Sequence, residues 1–156
     1  MKLLSKAFKN GEEIPEEYTG DGADVSPPLR FVSVPPLAQS LVLIVEDPDA
    51  YARAFVHWIL VNIPPMTVRL EAALSALDIK RIGAMEITNS FDTHSYGGPC
   101  PPSGTHEYHF TLYALNTLLR LGPHAKIREV KDAMEDHVLL KTKLIGKYSK
   151  KKSAKK

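Results

Sequence analysis

The residues best suited to chemistry lie in three short stretches. EDPDA at 46–50 sets two carboxylates, Asp47 and Asp49, on either side of a proline, directly after the apolar run LVLIV. Asp and Pro together make a stiff turn by themselves; with one carboxylate facing a pocket, the same segment would orient or charge a histidine. FVHWIL at 55–60 carries His57 inside an apolar segment. Strict alternation puts His57 on one strand face with Phe55, Ile59 and Val61, and Trp58 on the other. A polar ring on an apolar face is either a hydrogen-bonded core group or the edge of a cavity.

The third stretch, YGGPCPPSGTHEYH at 96–109, is a side-chain-poor loop running into a strand. On that strand His106 and Tyr108 share a face with Phe110 and Leu112, while His109 lies opposite. Gly97 and Gly98 let backbone approach a ligand with exposed N–H groups, and Pro99, Pro101 and Pro102 stiffen the wall at little conformational cost on binding. Tyr96 and Pro101, with Asp49, are expected to support the site from behind. Beside the histidines the loop becomes an anion cradle.

Other chemistries fit less well. His106-x-x-His109 would chelate a metal on a helix but not on a strand, and one cysteine without a His-x-His pair gives no structural zinc site. Neither a metal nor a cofactor is expected. Ser95 and Ser103 near the histidines raise a Ser–His–Asp hydrolase, with His106 as base, as the rival reading. However, the chain has no G-x-S-x-G elbow, and both serines sit where serine is ordinary turn chemistry. Cys100, held between two prolines, reads as a small wall residue. The expectation is a binding protein and not an enzyme.

These residues need a β framework. LVLIVE (41–46) is an unbroken apolar run, as a strand covered on both faces would be, FVHWILVNI (55–63) is another, and HEYHFTLYAL (106–115) is aromatic and branched. Shorter extended pieces are expected at Leu29–Val34 and Ala84–Thr88. Paired prolines at 27–28, 35–36, 64–65 and 101–102 stop helices and punctuate short strands. Helices are predicted over VRLEAALSALD (68–78) and over residues 127–144, where Ile127, Val130, Met134, Val138 and Leu144 fall near one stripe. The fold class is mainly β, a sandwich with peripheral helices.

At 156 residues, 44% hydrophobic and 24% charged, the chain has the composition of a soluble globular domain, expected to span 1–148 with a lysine-rich tail at 149–156. No run is long enough to cross a membrane, the N-terminus lacks the apolar segment of a secretory signal, and a lone cysteine suits a reducing compartment, so the cytoplasm is expected. The net charge of +2 conceals a split: residues 141–156 hold eight lysines and no acid, leaving 12 basic against 18 acidic side chains, net −6, in residues 1–140. The tail is either a solvated terminus or a weak contact for an anionic membrane surface or nucleic acid.

Taken together, the motifs resemble the phosphatidylethanolamine-binding protein family, also called Raf kinase inhibitor-like proteins, in its bacterial and archaeal branch. DVSPPL (24–29), SLVLIVEDPDA (40–50), FVHWILVNIP (55–64), NSFDTHSYGGPCPPSGTHEYHFTLYAL (89–115) and AMEDHVLLKTKLIGKY (133–148) are similar to its successive segments, the last to its closing helix. The resemblance implies an antiparallel β-sandwich with peripheral helices and a small pocket for phosphate-like anions, including a phospholipid head group. Asp47, His57, His106 and Tyr108 match its binding residues, and Gly98 and Pro99 its loop wall. It also implies protein partners, since the family includes modulators of kinases and inhibitors of serine proteases; the region of Tyr51 and Arg53 is one candidate contact. Oligomeric state is left open. Glu107 stands where the family usually has Arg, Ala50-Tyr51 replaces Ala-Pro, and Phe31 a common Trp.

Overall fold

The computed structural model describes residues 1–50 and 53–151, so the candidate contact at Tyr51 and the end of the lysine tail lie outside the described residues. Two antiparallel sheets form the body. The smaller has the order β1 (Lys2–Leu4), β2 (Leu29–Val32), β5 (Arg69–Leu70). The larger runs β6 (Met85–Glu86), β4 (Phe55–Ile63), β3 (Ser40–Asp47), β7 (Thr105–Leu115), β8 (Val138–Ser149). The fold is the expected mainly β sandwich with peripheral helices.

The unbroken apolar run of β3 has a structural reason: both of its faces are covered. Leu41, Leu43 and Val45 face the smaller sheet, in a cluster with Leu3, Phe31, Leu70, Trp58, Phe110 and Leu112. Val42 and Ile44 face the other way, against Val56, Ile59 and Val61, and helix α2 (Ile127–Met134) closes that side with Val130 and Met134. Each buried Leu, Ile or Val contributes about 1.5–3 kcal/mol of transfer free energy, so this doubly covered strand anchors the architecture.

Two helices differ from expectation. The one predicted over 68–78 is displaced: Arg69–Leu70 joins β2 as a strand, Ala73 takes a left-handed φ of 58°, and helix α1 spans Ala76–Ile82. Its start is a reciprocal cap, Ser75 Oγ accepting from Asp78 N–H and Asp78 Oδ2 accepting from Ser75 N–H, and Gly83 ends it at φ 98°. The long helix predicted over 127–144 stops at Met134. Asp136 turns the chain at φ 69°, and Val138–Ser149 becomes β8, paired with β7 along its length. The segment resembling a closing helix is therefore mostly an edge strand, and Val138 and Leu144 belong to it. Part of that edge is covered by the N-terminal loop, with Ile14 N–H donating to the Lys147 carbonyl and Lys147 N–H to the Glu12 carbonyl.

Candidate functional site

β3 ends at Asp47, β4 begins at Phe55 and β7 begins at Thr105, and antiparallel pairing sets these three ends side by side. A cavity of about 520 Å³ opens there. Asp47, Asp49, His57, His106 and Tyr108 form its polar part, and Phe55, Phe91 and the 100–103 segment form its walls.

Asp47 is nearly buried, and both its oxygens are used. Oδ1 accepts the Asp49 backbone N–H at 2.9 Å, and Oδ2 accepts from His106 Nδ1 at 2.5 Å. The Asp-Pro-Asp turn and the histidine clamp are thus one device: the turn fixes the carboxylate, the carboxylate fixes the ring, and Nε2 is left as the ring nitrogen for a ligand. The side chain of Tyr108 is buried and makes no hydrogen bond among the described residues. Burial first, then the charge of Asp47, holds its hydroxyl well above the ordinary phenol range, so it remains an O–H donor.

His57 reaches the cavity by a route that alternation does not give. Val45 pairs with Trp58 while Glu46 pairs with Val56, so His57 is the extra residue of a β-bulge. Ile59 and Val61, expected on its face, instead pack with Val56 toward α2. His57 turns with Phe55 to the cavity, its ring centroid 5.3 Å from that of Tyr108. Tyr108 belongs to the same core cluster as Trp58, expected on the face opposite His57. His57 Nδ1 donates to the Gly97 carbonyl at 2.7 Å, and Gly97 N–H returns a bond to the His57 carbonyl at 3.1 Å. Desolvation pushes the imidazole below its ordinary range, outweighing the opposing pull of the Gly97 carbonyl and the Asp47 charge. Asp47 does favour the imidazolium of His57, but burial outweighs it and favours the neutral ring, whose Nδ1 carries the proton given to Gly97.

The glycine loop is built for packing. A Cβ on Gly97 would fall 2.4 Å from the Phe91 ring, and one on Gly98 would fall 2.5 Å from the Tyr18 carbonyl oxygen. Gly98 N–H is not held out to solvent; it donates to Asp24 Oδ1 at 2.7 Å. Pro99 is buried, and its carbonyl accepts from Gly20 N–H. Gly98 and Pro99 thus anchor the wall behind the cavity, and its inner surface is Cys100, Pro101, Pro102 and Ser103. Tyr96 also serves the scaffold, donating to the Tyr18 carbonyl at 2.7 Å with its ring edge-on to Trp58.

Sequence reasoning missed Phe91 and its organiser, Asn89. Asn89 Oδ1 accepts from the N–H groups of Phe91 and Thr93, while Nδ2 donates to the carbonyls of His57 and Ser95. The signal was available as the Asx-turn pattern of NSFDT.

This convergence of Asp-Pro-Asp, bulged histidine, proline loop and His-x-Tyr strand can be set against known proteins. A family model described as phosphatidylethanolamine-binding protein matches residues 4–149. The chain belongs to the phosphatidylethanolamine-binding protein family. It is 46% identical over 148 residues to a UPF0098 protein of Methanothermobacter thermautotrophicus, covering 95% of this chain and 98% of that one. A UPF0098 protein of Pyrococcus horikoshii is 43% identical, with 95% and 76% covered. Among solved structures, a phosphatidylethanolamine-binding protein homologue from Chlamydia trachomatis aligns with TM-score 0.88 and 35% identity over 96% of this chain and 97% of that one. YbcL of E. coli, described as a new member of the mammalian family, aligns with TM-score 0.88 and 27% identity over 96% and 98%.

Within this phosphatidylethanolamine-binding fold the departure at Glu107 sits away from the cavity: its carboxylate is 3.2 Å from His109 Nε2, on the face opposite His106 and Tyr108. No helix among the described residues is long and apolar enough to cross a membrane. Lys151, at the start of the tail, folds back on the body, with Nζ 3.3 Å from Glu13 Oε2.

Proposed function

We propose that the chain is a non-catalytic binding protein whose strand-end cavity takes a phosphate-like anion, with a phosphoethanolamine-type head group the ligand that uses the whole site. The observation that carries this reading is the Asp47–His106 clamp in the cavity, beside the Tyr108 hydroxyl. His106 Nε2, once protonated, and Tyr108 O–H donate to phosphate oxygens, and charge-assisted bonds are the stronger kind. Asp47 and Asp49 supply negative charge for an ammonium, while Phe55, Phe91 and the prolines offer apolar walls for a carbon linker.

The neutral state of His57 gives the proposal a direction with pH. A bound anion favours the imidazolium that burial disfavours, so binding takes up a proton. Calorimetric titration with phosphate and phosphoethanolamine, at about pH 6 and about pH 8, tests both points. Binding to the wild type that tightens at the lower pH and disappears in His106→Ala is the expected result. A folded wild type that binds neither compound overturns the proposal.

Ser103 on the same cavity wall gives the hydrolase reading its one structural support. Turnover of a chromogenic ester that Ser103→Ala abolishes would replace a receptor with an acyl-transfer site.

A further inference from the structure

The outer face of the smaller sheet carries a second cavity, also of about 520 Å³, that shares no residue with the first. Its construction follows from strand register. Leu29 pairs with Leu70 and both are buried, so their neighbours Arg30 and Arg69, also paired, face outward directly opposite each other. Leu4 completes that row from β1. Lys6 and Glu71 lie in the same depression together with Pro28, whose carbonyl accepts from Ser5 Oγ at 2.6 Å.

The electrostatics of this face run against the rest of the body. Like charges directly opposite across a sheet are destabilising, and residues 1–140 carry a net −6 from which compensating acids could have been drawn. Among the described residues only one acid enters the depression: Glu71 Oε2 meets Arg69 Nε at 2.7 Å, which leaves the outer edge of that guanidinium open. Lys6, Arg30 and Arg69 thus face one small volume with a single counter-charge. A further hollow of about 330 Å³ continues from Lys6, Pro28 and Glu71, so the depression is elongated.

We propose that this face is a second binding site, for an oligophosphate. Arginine forks match phosphate oxygens in paired, planar geometry, and the ammonium of Lys6 adds a point charge at the end of the row. Cross-strand Cβ atoms lie about 5 Å apart, so two guanidiniums can hold adjacent charges of one short polyanion. Carboxylates on one face of an extended acidic peptide repeat about every 7 Å with one charge each, a lower charge density than a phosphate chain brings to these cations. The spread of the three cations, two on paired strands and Lys6 beyond the end of β1, favours a chain of phosphates over a single one. The site is independent of the strand-end cavity, and either stands without the other.

The test is a titration of the full chain with inorganic tripolyphosphate at low salt, read by amide NMR shifts. Calorimetry on His106→Ala, in which the strand-end cavity is disabled, is run with and without Arg30→Gln. Saturable shifts at Leu4–Lys6, Leu29–Phe31 and Arg69–Glu71 are expected, with affinity falling about tenfold on Arg30→Gln. Shifts confined to the strand-end cavity overturn the site, as does affinity that Arg30→Gln leaves unchanged. A hexaglutamate peptide that binds as tightly as tripolyphosphate overturns the oligophosphate assignment in favour of an acidic peptide. Because the shift map is read on the unaltered chain, a variant that failed to fold would not obscure the answer.

Discussion

The two cavities are about equal in volume and opposite in construction. At the strand ends, polar groups are withdrawn from water and tied to the protein itself: Asp47 to His106 and the Asp49 amide, His57 to Gly97. On the smaller sheet, three cations of one sign stand in solvent, with one exposed carboxylate among them. The first arrangement suits selection by geometry, since its donors have fixed directions and a poor fit leaves desolvated groups unmatched. The second suits selection by charge, with side chains that move and a field that salt screens. One sandwich can offer both because the polar side chains at the strand ends are themselves buried against a packed loop, whereas the cations of the smaller sheet are exposed.

That contrast is broken most strongly by removing the group at the centre of the first network. Asp47→Ala leaves the half-buried His106 Nδ1–H and the Asp49 N–H without their acceptor and empties a buried carboxylate position. A loss of about 2–3 kcal/mol is expected in thermal or denaturant unfolding. A loss below about 0.5 kcal/mol would mean that water satisfies these groups and the network is no more organised than the open face.

Next in size is Gly98→Ala, which places a methyl 2.5 Å from the Tyr18 carbonyl oxygen and 2.6 Å from Asp24 Oδ1. These neighbours are backbone and a hydrogen-bonded carboxylate, so relief requires moving the wall. About 2 kcal/mol of destabilisation is expected, together with weaker anion binding although Gly98 does not line the cavity. Unchanged affinity would separate the loop's packing from the site's geometry.

A smaller effect depends on pH. His57 is held below the ordinary imidazole range, so as pH falls through about 6.5 the unfolded chain gains a proton that the folded chain refuses. Stability is then lost with falling pH, down to the lowered folded value. His57→Asn should remove that part of the acid sensitivity, and a phosphate ligand should reduce it in the wild type. An identical pH profile for the two chains would remove desolvation as the dominant influence on this ring.

How far these features can be read from residues differs between the regions. β3, β4 and β7 were legible because apolar and aromatic runs of that length, bounded by prolines and acidic turns, fit little besides a buried strand. β8 was not: KTKLIGKY alternates Thr142, Leu144, Gly146 and Tyr148 onto one face, yet its lysines and its leucine are equally good helix formers. Pairing with β7 along nearly its whole length decides the matter, and that is a tertiary term no local window contains. Asp47, His57, His106 and Tyr108 were recognisable as polar groups placed where polarity needs a reason. The bulge that re-aims His57 carries no residue signature, so the residue was identified and its surroundings were not. Gly98 shows a different limit. Close approach to a ligand and close approach to the chain's own backbone both demand glycine, and the partner that tells them apart, Asp24, lies 74 residues away. The Arg30–Arg69 pair was invisible because only the register of two short strands brings them together.

The smallest effect tests the cationic cavity of the smaller sheet as a separate kind of site. Glu71→Gln removes an exposed carboxylate from an exposed guanidinium, so stability should change by less than about 0.5 kcal/mol. Tripolyphosphate affinity should nevertheless rise, because the variant frees the Nε edge of Arg69 and deletes the one negative charge facing the anion. Salt sharpens the point: the gain should shrink between about 50 and 200 mM as screening removes the repulsion that Glu71 exerts. Asp47→Asn at the strand ends should behave in the opposite sense, since that carboxylate positions His106, and losing it weakens anion binding at every ionic strength. If both substitutions moved affinity in the same direction, charge alone would govern both cavities, and the distinction between a geometric site and an electrostatic one would fall.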